Sequence, residues 1–513
     1  MNHLPAFRHI VSLSTMALIC HLSSAASDEL VSTVADARGG LWHVAEEMFS
    51  NPVVNQWRMT GSLTSIHADY LMRNDNRPID PRLGKADHIW SGGADTYIKY
   101  KSSTLWGAAR YANGKCKDMK WNETADASLL YPYLTADSIG GDMQHETYEF
   151  GGGYADHAGR WAWGVSLSYK AHLEYRTVDP RPRNVTGTLD VAAGGAYRAW
   201  RDYYLALGLN WSKYKQSNDI EFKSEMGVEK IFHLTGLGTH YTRFDGNSLD
   251  VNYQGMTFGT DLSIYPSSGR GLFCGVHLSR FTFDNILTDL NKLPMASAWH
   301  NSLLGSVGWL QPDKLNSWGV AVNVAAQRRH GTENIFGDPA ASIYPQIGAL
   351  TMYGCNYFSI SAKGEYVRHF GEVTRIKASA TTGYDRSVEA YVKPSRRTLV
   401  SGFSTGAGIS TEILLPHAWL LSGGLHAGAV FPTDCAMTWS QPDNDKEMAG
   451  LVRIEQNLYR LMSATHGSAG IDLALSMPLA RKFRLQLEAR WTRDIYTRPT
   501  HSDRITAQAA LQF

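Results

Sequence analysis

The sequence predicts an all-β fold, a closed antiparallel transmembrane β-barrel of about 18 strands, with 14 or 16 also compatible, behind a short N-terminal helical segment. Three observations predict it: long stretches that are apolar on one side only, links that alternate between short and long, and a last strand that stops on an aromatic residue. The first is plainest at residues 161–176, WAWGVSLSYKAHLEYR. Successive strand residues point to opposite faces, so one face reads Trp, Trp, Val, Leu, Tyr, Ala, Leu, Tyr and the other Ala, Gly, Ser, Ser, Lys, His, Glu, Arg. A helix cannot separate them in this way.

Residues 1–26 read as a secretory signal peptide. Arg8 precedes an apolar run from Ile10 to Cys20, and Ser24, Ala25 and Ala26 supply the small residues before a cleavage point. Cys20 belongs to that run and is not read as a lipid anchor, because the bulky Ile19 stands before it. Residues 27–60 follow as a unit, with one or two short amphipathic helices over 27–48, broken at Gly39-Gly40 and stopped by Asn51-Pro52. The segment is too short for a globular plug domain. It reads either as a loose periplasmic arm or as a small hatch in the lumen, with Trp42, Met48 and Phe49 as contacts.

Residues 61–513 carry the barrel. One-sided sets recur at Tyr203 to Trp211, Met256 to Ile264, Leu272 to Leu278, Trp318 to Val324, Ile471 to Met477 and Phe483 to Trp491. Short links fall at 101–103, 156–159, 198–202, 266–271, 312–317, 370–372, 416–417 and 478–482. Between them lie polar segments at roughly 74–92, 113–144, 177–187, 215–252, 284–299, 330–349, 386–401 and 432–465. A sandwich has no cause for this rhythm, whereas a barrel with tight periplasmic turns and long outer loops does. Trp106, Trp161, Trp163, Trp200, Trp309, Trp318 and Trp419 stand beside the short links, as one interfacial girdle requires. The chain ends RITAQAALQF, alternating up to Leu511 and Phe513, and this resembles the terminal signature that the barrel-assembly machinery reads in bacterial outer-membrane proteins.

The phrases YANGKCKDMKWN (111–122), LYPYLTADSIGGD (130–142), YRTVDPRPRNVTGTL (175–189) and GLGTHYTRFDG (236–246) resemble an uncharacterised family of large outer-membrane barrels from Bacteroidota, a domain of unknown function spanning nearly the whole mature chain. The resemblance implies fold and location and carries no catalytic residue.

Charge and motifs narrow the function. With 49 basic and 48 acidic residues the net charge is +1, which disfavours a nucleic-acid partner. Cys116 and Cys435 fall in expected loops and could pair, while Cys274 and Cys355 fall in strand patterns. The chain has no CxxC motif, and no cofactor or metal is expected. His145-Glu146 begins like a zinc-hydrolase motif but ends at Glu149 on a strand, and His43 with Glu46-Glu47 reads as a solvated helix face. An enzyme is not expected. A barrel hydrolase whose triad comes from separate strands would leave no short trace and stays as a third reading.

Alternation assigns Lys170, His172, Glu174, Arg176, Arg375, Lys377, Arg484, Gln486, Glu488, Arg490, Arg504 and Gln508 to the lumen, with Asp190, Asp261 and Asp472. Such a wall either selects anions by focusing its field or cross-links itself by ion pairs. The expected protein is an integral outer-membrane barrel with periplasmic termini, passing a small polar or amphipathic solute. The alternative is a shut barrel that binds a ligand or a neighbouring transporter through loops such as 113–144, 215–252 and 432–465. Expected partners are outer-membrane lipid and lipopolysaccharide, the assembly machinery, and the solute or transporter.

Overall fold

The computed structural model describes residues 27–224, 230–246, 250–340, 343–371, 373–440, 446–480, 482–497 and 499–513. The expected signal peptide lies outside them. One 18-stranded sheet runs from strand Leu63–Asp75 to strand His501–Gln512, each strand antiparallel to its neighbours. The last strand pairs back onto the first, from Ser65↔Gln512 to Asp75↔Ser502, so the sheet is a closed barrel. Phe513 completes the seam: its amide donates to Thr64 O at 2.9 Å, and Thr64 N donates to Phe513 O at 2.8 Å. Closure leaves no unpaired ladder in hydrocarbon, where an unpaired amide would be costly.

The strand Trp161–Tyr175 shows what the alternation does. Trp161 and Leu167 are 66% and 56% exposed, whereas Ala162 between them is 3% exposed. Leu209 and Leu473 continue the same outward face round the barrel. So much exposed apolar surface is a defect in water and the expected wall in lipid. Trp163, Trp200, Trp309, Trp318 and Trp419 also face outward beside short turns. Trp106 does not. It pairs with Tyr97, whose hydroxyl bonds residues inside the lumen, so its side chain faces the interior, and its place in the girdle is corrected.

A second correction concerns the outer links. Strand Gln346–His369 has 24 residues, and at about 3.3 Å per residue and a tilt near 40° it rises roughly 60 Å, far beyond the ~25 Å apolar band. Many polar segments that read as loops are therefore strand. Gly271–Leu287 joins Leu293–Gln311 through 288–292, and Arg375–Tyr391 joins Arg396–Leu415 through 392–395. Above the hydrocarbon both faces are free to be polar, so alternation fades while backbone pairing continues. For the same reason Cys116 and Cys435 lie in strands, Ser103–Met119 and Trp419–Trp439. Both are free thiols and do not form the pair that loop positions suggested.

No helix among the described residues is long and apolar enough to cross a membrane. The buried cores lie inside the barrel, one set towards the short-turn end and the largest beneath the long links.

Candidate functional site

The N-terminal segment packs within the short-turn end. Helix Ser27–Gly39 buries Leu30, Val31, Val34 and Ala35 against Val373 and Leu420. A 3-10 segment, Leu41–Ser50, then buries Val44 and Met48. Helix Pro52–Asn55 begins with Pro at its first turn, where a missing N–H costs nothing, and Asn51 Oδ1 accepts from Val53 N at 3.1 Å. Its wall is flattened to receive it: a Cβ at Gly164 would lie 2.8 Å from Pro52 O, and one at Gly208 2.8 Å from Asn51 Nδ2.

Polar contacts hold this plug. Tyr97 Oη lies 3.0 Å from Asn55 O and 2.9 Å from Gln56 O, and Lys363 Nζ donates to His43 O at 2.5 Å. Arg375 donates to Ala35 O and lies 3.1 Å from Glu412 and 3.7 Å from Asp36. Arg38 donates to Ser422 Oγ at 2.8 Å and lies 3.7 Å from Glu412 and 3.6 Å from Glu488. Of the expected contacts, Trp42 stacks under Arg58 at 4.5 Å, Phe49 meets Tyr265 edge-on at 5.5 Å, and Met48 is buried.

The opposite end is covered by the long links. A three-stranded sheet, Leu134–Ala136, Phe232–Gly236 and Thr239–His240, packs with helix Ala449–Met462 over the inner faces of the strands below. Leu130, Tyr133, Phe232, Phe244 and Leu451 from the links meet Tyr253, Phe283, Met295 and Phe336 from the wall in one core. Buried charge pins it. Arg176 Nη2 lies 2.8 Å from Glu123 and 2.7 Å from Asp137, and Arg82 lies 2.6 Å from Glu455 and 2.9 Å from Asp80. Burial, then the neighbouring Asp137 carboxylate, pushes the Glu123 carboxyl well above its ordinary range. The four phrases that set this sequence apart, at 111–122, 130–142, 175–189 and 236–246, all contribute to this cap.

One cap residue sets a pH limit. His233 in the small sheet is 1% exposed with Nδ1 unpartnered, and burial lowers its imidazole from 6.5 to about 4, against a smaller opposing effect of Asp245. An unfolded cap would take up that proton near pH 6.5 and the folded cap only near 4, so the contribution of His233 to cap stability is complete above 6.5 and is lost as pH drops between those values. The loss is on the order of 3 kcal/mol. Hydrogen exchange at 232–236, corrected for intrinsic rate, is expected to speed up over that window, and His233→Gln to remove the change. An unaltered pH profile in the variant would refute the assignment.

Inside the barrel, against the plug, lies a chamber of about 900 Å³. Its wall presents Asp95, Ser166, Ser168, Asp190, Asn210 and Ser212, the plug presents Trp42 and Arg58, and Trp106 completes it. Gly151, Ala108 and Ala192 keep the space open where larger side chains would fill it. Beside it His277 Nδ1 and Asp261 Oδ1 are 2.6 Å apart.

The other inward residues are mutually engaged. Lys170 lies 3.6 Å from Asp126, and His172 lies 3.3 Å from Glu174. Lys377 lies 3.3 Å from Glu365, and Arg490 Nε donates to Asp472 at 2.7 Å. Arg484 donates to Ser476 Oγ at 3.0 Å and to Ala418 O at 2.7 Å. Gln508 donates to Asp69 at 2.7 Å, and Arg504 stands opposite Arg73 on the first strand. Lys377 and Arg490 are thus tied to wall acids, Lys170 to an acid of a long link, Arg484 to a serine and a carbonyl, and Arg176 and Arg375 to the cap and plug. Sequence reading missed Glu123, Asp137, Asn51 and the glycine floor, which carry no periodic signal. It also passed over Gly402-Phe403-Ser404-Thr405-Gly406, which has the spacing of a nucleophile elbow. The segment runs within strand Arg396–Leu415 without the sharp strand-to-helix turn that exposes such a serine. Among the described residues no cluster of three His, Cys, Asp or Glu is placed to hold a metal.

A closed sheet with a lipid-suited outer face, an aromatic girdle and a plugged lumen defines an integral β-barrel of the outer-membrane type. The chain belongs to the Family of unknown function (DUF6850), whose model matches residues 52–513. No curated protein sequence matches it. Among solved structures it is similar to BauA, the ferric preacinetobactin receptor from Acinetobacter baumannii, at 6% identity over 88% of this chain and 80% of that one, with a TM-score of 0.37. It is also similar to the Ralstonia pickettii toluene transporter TbuX, at 10% identity over 91% and 92% of the two chains, with a TM-score of 0.30.

Proposed function

We propose that this barrel is a gated carrier, oriented with its short turns and both termini on the periplasmic side, that passes a small hydroxyl-rich solute through the central chamber. The observation that carries the reading is the chamber itself: a space of about 900 Å³ above the plug, kept open by small residues and lined by apolar surface with Asp95, Asp190, Asn210 and several serines set into it. An 18-stranded wall is too wide for its own inward side chains to fill, and the plug and cap leave this part of the interior free for a solute. Asp95 and Asp190 on its wall, against Arg58 from the plug, favour neutral or cationic solutes over anions.

Planar-bilayer recording tests this with three chains: the full one, one lacking 27–60, and that truncation carrying Arg176→Ala to loosen the cap. The full chain is expected to be silent and the third to conduct in steps, with cations preferred. Silence from all three, with heat-modifiable migration showing folded barrels, would sink passage. It would favour the second reading, docking through the loop cap, which the large buried core beneath the long links supports.

A further inference from the structure

The outer wall carries a second site. Four strands set one residue each into a row across the sheet: Arg280 stands opposite Asn301, Asn301 opposite Arg328, and Arg328 opposite Asn356. All four share the outward face, because Leu278, Leu303 and Phe358, two residues nearer the short turns on the same strands, are outward and exposed. That apolar row ends at Arg386, which stands opposite Phe358. Arg280, Arg328 and Arg386 are exposed. Among the described residues none of the three forms a salt bridge.

Three cations facing out of a membrane wall, without a carboxylate beside them, need an explanation. Strand spacing puts Arg280 and Arg328, two strands apart, about 10 Å from each other. They are held rather than loose. The Arg280 guanidinium stacks 5.1 Å over Trp299, Trp299 stacks on His330 at 4.6 Å, and Arg328 Nε donates to His330 Nε2 at 2.7 Å. Between this braced row and the leucines below it runs a shallow groove of about 770 Å³, floored by Gly259 and Ala326 and reaching Phe258.

We infer that this groove holds a phosphorylated glycolipid of the outer leaflet, its phosphates on the Arg280, Arg328 and Arg386 guanidinium groups and its acyl chains along Phe258, Leu278, Leu303 and Phe358. Charge complementarity identifies the occupant. Guanidinium pairs with phosphate in a bidentate fork, and asparagine amides between the arginines match sugar hydroxyls. The apolar row immediately below admits an occupant that is itself apolar towards the bilayer centre, which a free phosphate or a soluble sugar phosphate is not. The inference rests on the orientation proposed above, with the long links outside.

Native mass spectrometry of the full chain in detergent tests it, with bisphosphorylated lipid A, its dephosphorylated form and phosphatidylglycerol as probes. One lipid A per barrel is expected to survive gas-phase activation, with at least tenfold weaker retention of the other two lipids. The triple substitution Arg280→Gln, Arg328→Gln, Arg386→Gln is expected to lower lipid A retention tenfold in barrels whose heat-modifiable migration is intact. Equal retention of both lipid A forms, or of phosphatidylglycerol, would overturn the inference using the unaltered chain alone. Orientation is read separately: Asp338→Cys, at a side chain 104% exposed among the long links, should react with an impermeant thiol reagent on intact cells. No labelling there would overturn the orientation and the outer-leaflet source with it, whatever the groove binds.

Discussion

Arg176→Ala will loosen the loop cap by about 3–5 kcal/mol, the usual cost of removing one partner from a buried ion pair. Arg176 is 3% exposed and Glu123 and Asp137 are fully buried, so water cannot replace the guanidinium without opening the cap. Its Nε also donates to Pro180 O at 2.7 Å, tying the link after strand Trp161–Tyr175 to the same centre. Asp137 Oδ1 accepts from Ile139 N and Gly140 N at 2.6 Å each and keeps part of its support, whereas Glu123 loses its one cation. The expected result is rapid proteolysis within 222–250 while the barrel remains folded. Arg176→Lys should recover only part of the loss, because an ammonium cannot hold two carboxylates and a carbonyl in one plane. Protease resistance equal to that of the unaltered chain would contradict the assignment of this cluster as the cap's anchor.

Arg375→Met should free the plug by a comparable amount. The side chain is 5% exposed and reaches Ala35 O, Asp36 and Glu412 together, so its loss leaves Glu412, itself 6% exposed, with only Arg38 at 3.7 Å. A cost near 3 kcal/mol raises the undocked population by more than a hundredfold. Leu30→Cys, buried against Val373 and Leu420, reports it: thiol labelling should be slow with Arg375 and at least a hundredfold faster without it. Labelling at one rate in both backgrounds would mean that apolar contacts alone seat the helix.

The corrections share one cause. Sequence patterns record the solvent of each side chain, and that record is sharp only where lipid and water lie on opposite faces. Leu272, Val276 and Leu278 therefore announced their strand, while its continuation through Asp284 and Asn285 did not, because there both faces are polar or packed under the cap. Trp106 read as girdle because it stands near a short turn, and only the pairing with Tyr97 shows that it faces the chamber. The lumen assignments of Lys170, Lys377 and Arg490 followed from strand parity. Their partners Asp126, Glu365 and Asp472 come from other strands and links, which parity cannot bring together.

By itself the sequence determined the closed barrel and its approximate strand number, because a period of two and the hydrocarbon's demand for closure are local and one-dimensional constraints. Only the tertiary structure decided that a plug latched by Arg375 packs into one end of the barrel, that a cap latched by Arg176 packs over the other, and that a chamber is left in the lumen. Those contacts join residues hundreds of positions apart, such as Arg375 with Ala35, through shape and charge fit that no run of neighbours encodes.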